Sequence, residues 1–396
     1  MQRPRATRAA TLLAATLLAA VVGSAGAVGA SPAPLPVVPP PEFYDPRPIA
    51  PGPDGALLAS LELAAAPGLR QWAILYRSPG PDGTPAAVSG LVLAPAEPPP
   101  PGGRPVVVLA HGTTGLGDQC APSRSLAYRI EMAIAGVQLA ARGWTVVATD
   151  YVGLGTPGPH AYLDGPLAAS AVLDSVRALD DLPEAAPGDD HLFLALSQGG
   201  HAVLWAAGAA AADPPRGMTV RGAVAAAPPA DLASIAAYVL APGGDRMARR
   251  AALLIAAAWT ATEGIRPADV LAPAALPLLE RVESDCGIAP RAFPLRPGVG
   301  DLPALRAAIE RNTPPPLPPT VPLLYLHGDA DTVLPVESAR IMVERLCAAG
   351  SAVDYREVPG ADHVGILYAA DRIGDSIDWL SARLAGVPAE VTCPAA

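Results

Sequence analysis

The chain has 396 residues and a formal net charge of −10, with 51% hydrophobic and only 4% aromatic residues. All 27 basic residues are Arg and none of them forms a basic tail or stripe, so the charge pattern argues against nucleic-acid binding, which needs clustered positive charge. The length allows one large α/β domain or two average domains, and the aliphatic content is sufficient for a large core.

The first 30 residues have the features of a secretory signal peptide. Three arginines precede an uncharged apolar run over residues 9–22, and small residues then offer cleavage sites near Ala27 or Ala30. The alternative is an N-terminal anchor helix, but the run is short for a membrane span. We therefore expect a secreted, extracellular protein, in which residues 31–54 form an extended Pro-rich lead-in.

From Gln71 onward, short apolar segments rich in β-branched residues alternate with segments of helical periodicity. Strands are predicted at 72–77, 88–94, 105–110, 144–149, 191–196, 222–227, 321–327 and 352–358. Helices are predicted over 128–142, 166–179, 199–212, 336–349 and 370–384. This alternation predicts an α/β fold with a mainly parallel central sheet, helices on both faces and a hairpin-like start.

About ninety residues separate the sixth and seventh predicted strands, which is too long for an ordinary loop. We interpret residues 231–318 as an inserted helical cap, called the cap segment below. The α/β core then comprises residues 55–230 and 319–388, and residues 389–396 form a C-terminal tail. A second independent domain is the alternative interpretation of the interval.

One helical stretch of the cap segment, residues 247–259, has a wide apolar stripe formed by Met247, Ala251, Leu254, Ile255, Ala258 and Trp259. A stripe of this width must be covered by something. We expect it to face a ligand pocket and, when the cap opens, an apolar surface outside the protein. Ordinary core packing is the alternative.

A candidate nucleophile follows the strand predicted at 191–196. The sequence Ala-Leu-Ser-Gln-Gly-Gly joins this strand to an Ala-rich helix and matches the nucleophile elbow G-x-S-x-G, with Ala195 in the first small position. Such a tight turn exposes Ser197 and directs the amide of Gln198 towards the substrate oxygen. We therefore predict Ser197 as nucleophile and Gln198 as an oxyanion donor, with an ordinary tight turn as the alternative.

A serine nucleophile needs a base that is oriented by an acid, and in this motif the order along the chain is Ser, acid, His. Two histidines follow Ser197 at a useful distance. His327 ends an apolar strand and is expected to be structural. His363 lies in the loop after the strand at 352–358, where the base is expected, although a surface histidine is the alternative.

The acid is expected between the strand at 321–327 and the next helix. Asp331 is the favoured residue, because Asp329 fits a turn-forming role. Asp362 adjoins His363 in sequence and would not easily face its ring. The predicted triad is therefore Ser197, Asp331 and His363.

A second oxyanion donor is expected in the loop after the strand at 105–110. This loop has the sequence His-Gly-Thr-Thr-Gly, in which Thr113 is the favoured amide donor and Thr114 offers a hydroxyl group. A plain glycine turn is the alternative. Residues 150–155, which end another strand, are expected to line the site without a catalytic role.

The four cysteines are Cys120, Cys286, Cys347 and Cys393, an even number that favours two disulfides in an exported chain. Three pairings are possible, and we favour Cys120–Cys286 and Cys347–Cys393. The wide spacing has none of the close pairs typical of zinc sites, so no metal site is expected.

Taken together, the motifs resemble the secretory lipases of the α/β-hydrolase superfamily, which include the fungal A-type lipases. The resemblance extends from Phe43 to Leu384 and rests on the motifs at residues 43–46, 76–78, 88–90, 111–115, 150–155, 197–200 and 360–363. It implies hydrolysis of triacylglycerols or simpler esters, a helical cap over an acyl pocket, export and no cofactor. Ala195 departs from the glycine usual at the start of the elbow, but it is small enough for the turn.

The sequence thus predicts a secreted serine hydrolase acting on carboxylic esters, with a lipase acting on acylglycerols as the favoured interpretation. Its expected partners are a small-molecule or lipid ester and, transiently, a lipid surface; no nucleic acid and no obligate protein partner are expected. Short-chain carboxylesterase, cell-envelope acyltransferase and non-catalytic binding module are the alternatives.

Overall fold

The computed structural model describes residues 35–127, 129, 132–215, 217–241, 246–287, 293–369 and 372–393. The predicted signal peptide lies outside the described residues, as do residues 128, 130 and 131 of the predicted helix at 128–142, residues 370 and 371 of the predicted helix at 370–384, and the side chain of Met247. Within the described part of the chain, no helix is both long and apolar enough to cross a bilayer.

Among the described residues, nine strands form one sheet in the order β1-β2-β3-β5-β4-β6-β7-β8-β9. Strands β1 to β3 are antiparallel, β3 is antiparallel to β5, and all remaining neighbours are parallel. The strands are β1 Leu57–Leu63, β2 Leu69–Pro79, β3 Pro85–Pro95, β4 Arg104–Ala110, β5 Thr145–Thr149, β6 Pro187–Leu196, β7 Thr219–Ala226, β8 Leu323–Gly328 and β9 Val353–Val358. The predicted mainly parallel sheet with an antiparallel start is confirmed.

Strand β1 was not predicted from the sequence. Its residues, LLASLEL, contain no β-branched side chain and are typical of a helix. They form a strand because the backbone pairs antiparallel with β2 from Leu57 to Leu63, which is a tertiary effect. Only Leu63 is fully buried, as fits a strand at the edge of a sheet.

The α-helices are α1 Val137–Ala140, α2 Gly165–Arg177, α3 Gln198–Ala212, α4 Leu232–Leu240, α5 Arg246–Glu263, α6 Pro267–Val270, α7 Leu279–Val282, α8 Pro303–Asn312, α9 Val336–Ala348, α10 Gly365–Tyr368 and α11 Arg372–Leu384. Short 3₁₀ helices lie at Pro41–Tyr44, Asp118–Cys120, Ala178–Asp181, Pro183–Ala185, Pro273–Leu278 and Val299–Asp301. The predicted helix at 128–142 includes a π-helical turn, Met132–Gly136, before α1. There the sulfur of Met132 packs over Gly136, which has no side chain to keep it away.

The sheet is covered on both faces, because its parallel strands are apolar on both sides. Val172 of α2, Leu204 of α3 and the apolar side of α9 pack on one face. Leu139 of α1 and Leu380 of α11 pack on the other. This arrangement leaves the carboxyl ends of the parallel strands as one open edge, where the loops that carry the candidate residues meet.

The interval between β7 and β8 contains helices α4 to α8. Leu253, Leu254 and Trp259 of α5 belong to a small hydrophobic core that is separate from the two cores of the sheet. This small core also includes Tyr162 and Leu163, which follow β5 in sequence. This part of the chain therefore rests on a loop of the sheet domain through apolar contacts.

The structure contains two disulfides, Cys120–Cys286 and Cys347–Cys393, and these are the favoured pairs. The first joins the loop after β4 to the cap segment. The second holds the C-terminal tail beside β9, where the N–H of Thr392 donates to the Val353 carbonyl (2.9 Å) and its hydroxyl accepts from the Tyr355 N–H (2.8 Å). The tail thereby covers an otherwise open sheet edge.

We expect the double variant Cys347→Ala/Cys393→Ala to lower the free energy of unfolding by about 4 kcal/mol, because opening a loop of 46 residues restores chain entropy to the unfolded state. Equilibrium urea unfolding of the oxidised protein measures the change. Since the bond is not part of the cavity lining, kcat/KM should stay within about twofold of the wild-type value. An unchanged unfolding curve would contradict this stabilising role.

Candidate active site

Ser197 lies on the turn between β6 and α3 in a backbone conformation that is rare for a residue with a side chain, φ 55° and ψ −121°. Its own N–H donates to the Ala226 carbonyl of the neighbouring strand (2.8 Å), which holds the turn in place. A Cβ at Gly199 would collide with the carbonyl oxygen of Ala110. The elbow therefore needs glycine at 199, whereas Ala195 fits because its methyl group packs fully inside the sheet.

The structure brings the three predicted triad residues together. Nε2 of His363 lies 2.9 Å from Oγ of Ser197, and its Nδ1 lies 2.7 Å from Oδ2 of Asp331. The ring is therefore oriented as a base for the hydroxyl group, with the carboxylate on its far side.

The Asp331 carboxylate is fixed by its own loop. Its Oδ1 accepts hydrogen bonds from the N–H groups of Val333 (2.8 Å) and Leu334 (2.9 Å), which leaves Oδ2 for His363. The side chain is completely buried, so these bonds compensate for the loss of water.

The other candidates occupy structural positions around this loop. Asp329 accepts from the Gly360 N–H (2.6 Å), and Asp362 accepts from the Gly365 N–H (2.6 Å). His327 is buried, which lowers its pKa, and its Nε2–H donates to the Leu334 carbonyl (3.0 Å). These three residues therefore shape the loops on either side of the His363 ring.

The loop after β4 lines the same cavity as His363. Gly112 and Thr113 line it together with Ser197, and the Thr113 hydroxyl is hydrogen-bonded to the Tyr162 hydroxyl (2.9 Å). Thr114 points into the protein instead, and its buried Oγ1 has no hydrogen-bond partner among the described residues. Thr113 is thus placed to face a bound substrate, and Thr114 is not.

Gln198 is the first residue of α3, so its backbone N–H belongs to the helix end that lacks intrahelical acceptors. Its side chain is buried, and its Nε2 lies 3.2 Å from Nε2 of His160. Burial lowers the pKa of His160 to about 4, so the ring is neutral at pH 7. Because Nδ1–H of His160 donates to the Val152 carbonyl (3.0 Å), its Nε2 accepts from Gln198.

His160 and Tyr162 were not predicted as site residues. The only signal in the sequence is their position, a few residues after the carboxyl end of β5. The expectation that residues 150–155 line the site is wrong. Asp150 is buried and accepts from Ser89 Oγ (2.6 Å) and the Ser123 N–H (3.1 Å), so this segment supports the loop after β4 from beneath.

The cavity above Ser197 has a volume of about 230 Å³. Most of its lining is aliphatic or aromatic and comes from the cap segment, including Leu232, Ile235, Val239, Ile255, Trp259, Leu305 and Ile309. For comparison, a cavity of about 150 Å³ holds a benzene ring. The space is therefore suited to an apolar group larger than benzene.

The apolar stripe of α5 divides into two parts. Ala251, Ile255 and Trp259 line the cavity, as expected. Leu254, by contrast, is fully buried in the small core of the cap segment and does not line the cavity, so the expectation that it meets the acyl pocket is wrong. The stripe is wide enough to serve the cavity and the core at once.

Comparisons with known proteins agree with this architecture. A family model described as "Alpha/beta hydrolase family" matches residues 107–375, more than half of the chain. Candida antarctica lipase A in its closed state superimposes with a TM-score of 0.75 over 90% of this chain and 89% of that chain, at 18% identity. The rice cell wall degrading esterase LipA from Xanthomonas oryzae gives a TM-score of 0.68, covering 84% and 98%, at 18% identity.

At the sequence level, Esterase LipC of Mycobacterium tuberculosis is 48% identical over 56 residues, which are 14% of this chain and 12% of that protein. The match thus spans about an eighth of the relative's length. The structural similarities at 18% identity show the fold alone, whereas the family model covers the strands and loops that carry Ser197, Asp331 and His363. The chain belongs to the alpha/beta hydrolase family.

Proposed function

We propose that this protein hydrolyses carboxylic esters through an acyl-enzyme formed on Ser197. The observation that carries the proposal is the line of contacts from the Ser197 hydroxyl through the His363 ring to the buried Asp331 carboxylate, with steps of 2.9 and 2.7 Å. A structural role alone does not require a strained serine to be aligned in this way beside an apolar cavity.

In the proposed reaction, Nε2 of His363 accepts the Ser197 proton as Oγ bonds to the ester carbonyl carbon. The resulting oxyanion is stabilised by the backbone amides of Thr113 and Gln198. The C–O bond to the alcohol then breaks, and His363 donates its proton to the leaving alcohol. A water molecule, activated by His363, then attacks the acyl carbon of the acyl-enzyme. The bond between the acyl carbon and Oγ breaks, His363 returns the proton to Ser197, and the carboxylic acid is released.

The cap segment, residues 231–318, is proposed to bind the acyl group, because it supplies most of the apolar lining of the cavity. Aliphatic esters, including acylglycerols, are the proposed substrates, and transient contact with a lipid surface would bring such substrates to the cavity. The volume of about 230 Å³ favours short and medium acyl chains, so a short-chain carboxylesterase is the second candidate.

Export is proposed on independent grounds. Disulfides persist in oxidising compartments, and this chain has two, with no free cysteine among the described residues. The N-terminal sequence, with three arginines before an apolar run, is consistent with passage through a membrane. The proposed location is therefore extracellular.

The chain-length dependence of hydrolysis tests the proposed acyl site. We expect Ile255→Ser to lower kcat/KM for p-nitrophenyl octanoate about tenfold and for the acetate less than about twofold. Each buried methylene contributes about 0.8 kcal/mol, and a two-carbon acyl group has too few carbons to fill a cavity of about 230 Å³. Initial rates over acetate, butyrate, hexanoate and octanoate esters provide the measurement.

Leu254→Ser is the matched control, one residue away on the same helix. Because Leu254 is buried in the core of the cap segment and does not line the cavity, its replacement should lower the melting temperature and affect all chain lengths alike. Equal losses on acetate and octanoate with Ile255→Ser would contradict the proposed acyl site.

A further inference from the structure

Among the described residues of the cap segment, one charged residue lines the cavity, and the other lining side chains of the segment are apolar. Arg250, on the first part of α5, is only 7% exposed, and its side chain borders the same cavity as Ser197 and His363. Nη2 donates to the Cys286 carbonyl (2.7 Å), and the buried Nε has no hydrogen-bond partner among the described residues. No ion pair between described residues includes Arg250.

A buried guanidinium in this state is costly. Burying a charge without a counter-charge is unfavourable, because the protein interior solvates it less well than water. A single bond to the Cys286 carbonyl does not explain the choice of residue, since a neutral donor would form it too. An arginine offers five N–H groups in a planar fork that matches the two oxygens of a carboxylate or a phosphate.

The surroundings place Arg250 on the oxyanion side of the cavity. Its Nη2 holds Cys286, whose disulfide partner Cys120 follows the loop that carries Thr113. Tyr162 lines the same cavity as Arg250. Burial raises the pKa of Tyr162, and the charge of Arg250 acts in the opposite direction. Tyr162 in turn bonds to the Thr113 hydroxyl. Ser197, Thr113, Tyr162 and Arg250 therefore line one continuous cavity.

We propose that Arg250 binds an anionic group of the substrate, a carboxylate or a phosphate, inside the cavity that contains Ser197. The preferred substrates are then esters that carry one anionic group in addition to the ester bond. This inference rests on the proposed ester hydrolysis and narrows it from neutral esters to anionic ones. An anion in the cavity beside Arg250 supplies the missing counter-charge.

The test compares matched substrate pairs on the purified full chain at low ionic strength. Methyl hydrogen adipate is compared with methyl adipamate, in which a neutral amide replaces the carboxylate. Hexanoylglycerol phosphate is compared with monohexanoylglycerol. We expect kcat/KM to be at least about 10-fold higher for the anionic member of one pair, because a hydrogen bond between two charged groups is stronger than one to a neutral amide or hydroxyl group. The pair that responds tells whether the anion is a carboxylate on the acyl side or a phosphate on the alcohol side.

The variant Arg250→Gln should lower kcat/KM for the preferred anionic ester about 10- to 100-fold and for its neutral partner less than about twofold. Arg250→Lys, which keeps the charge, should retain part of the preference. Arg281→Gln removes the same charge from an exposed position, where the side chain is 60% exposed, and should leave the preference unchanged.

Equal rates on both members of both pairs in the wild-type protein would overturn the inference and leave ester hydrolysis standing. The inference would also be overturned if Arg250→Gln lowered kcat/KM for both members of a pair by the same factor. Because the wild-type comparison needs no variant, it decides the matter even if Arg250→Gln fails to fold. If the wild-type protein hydrolyses none of the four esters, the proposed function itself is wrong.

Discussion

Replacing Ser197 with Ala should lower kcat for ester hydrolysis by about 10⁵–10⁶-fold while the protein remains folded. The loss is large because the hydroxyl oxygen forms the covalent bond to the acyl group, and no neighbouring group replaces it. His363→Ala should have nearly the same effect, since these two residues act as a unit across a contact of 2.9 Å. Initial rates on p-nitrophenyl butyrate, with circular dichroism to monitor folding, provide the measurement.

The control is Ser381→Ala. Ser381 lies on α11 and is bonded to the Ile377 carbonyl (2.8 Å), far from the cavity lining, so its loss should leave kcat within about twofold. A Ser197→Ala protein that keeps more than a hundredth of the wild-type kcat would show that another residue is the nucleophile.

Asp331→Asn should lower kcat by about 10⁴-fold, and the geometry gives the reason. Because two backbone N–H groups donate to Oδ1 of Asp331, the single oxygen of the substituted side-chain amide would stay at that position. The NH₂ group of the amide would then face Nδ1 of His363. The ring would be forced to carry its proton on Nε2, where it is unable to accept the proton of Ser197.

Asp329→Asn is the matched control for this prediction. Asp329 accepts from the Gly360 N–H (2.6 Å), a bond that the oxygen of an amide preserves, so kcat should fall less than about tenfold. Steady-state kinetics of both variants at pH 7 to 8, together with melting temperatures, provide the comparison. If Asp329→Asn proved the crippling change, the assignment of the acid to Asp331 would be wrong.

The sequence by itself determined the sheet and the elbow, because both depend on local patterns. Short β-branched runs predict buried parallel strands, and a serine between small residues at a strand-to-helix junction predicts the strained turn at Ser197. Strand β1 was missed because its residues favour a helix and only pairing with β2 makes them extended. The order of Ser, acid and His along the chain narrowed the candidates, and the position of each candidate in its loop then selected Asp331 and His363.

Only the tertiary structure decided which side chains of the cap segment face the cavity. Leu254 and Ile255 are neighbours on one apolar stripe, yet the first is core and the second lines the cavity. Tyr162, His160 and Arg250 have no local signature, since their surroundings come from residues distant in the chain. The physical reason is that periodicity shows which face of a helix is buried, whereas the docking of that helix on its neighbours determines what each buried side chain contacts.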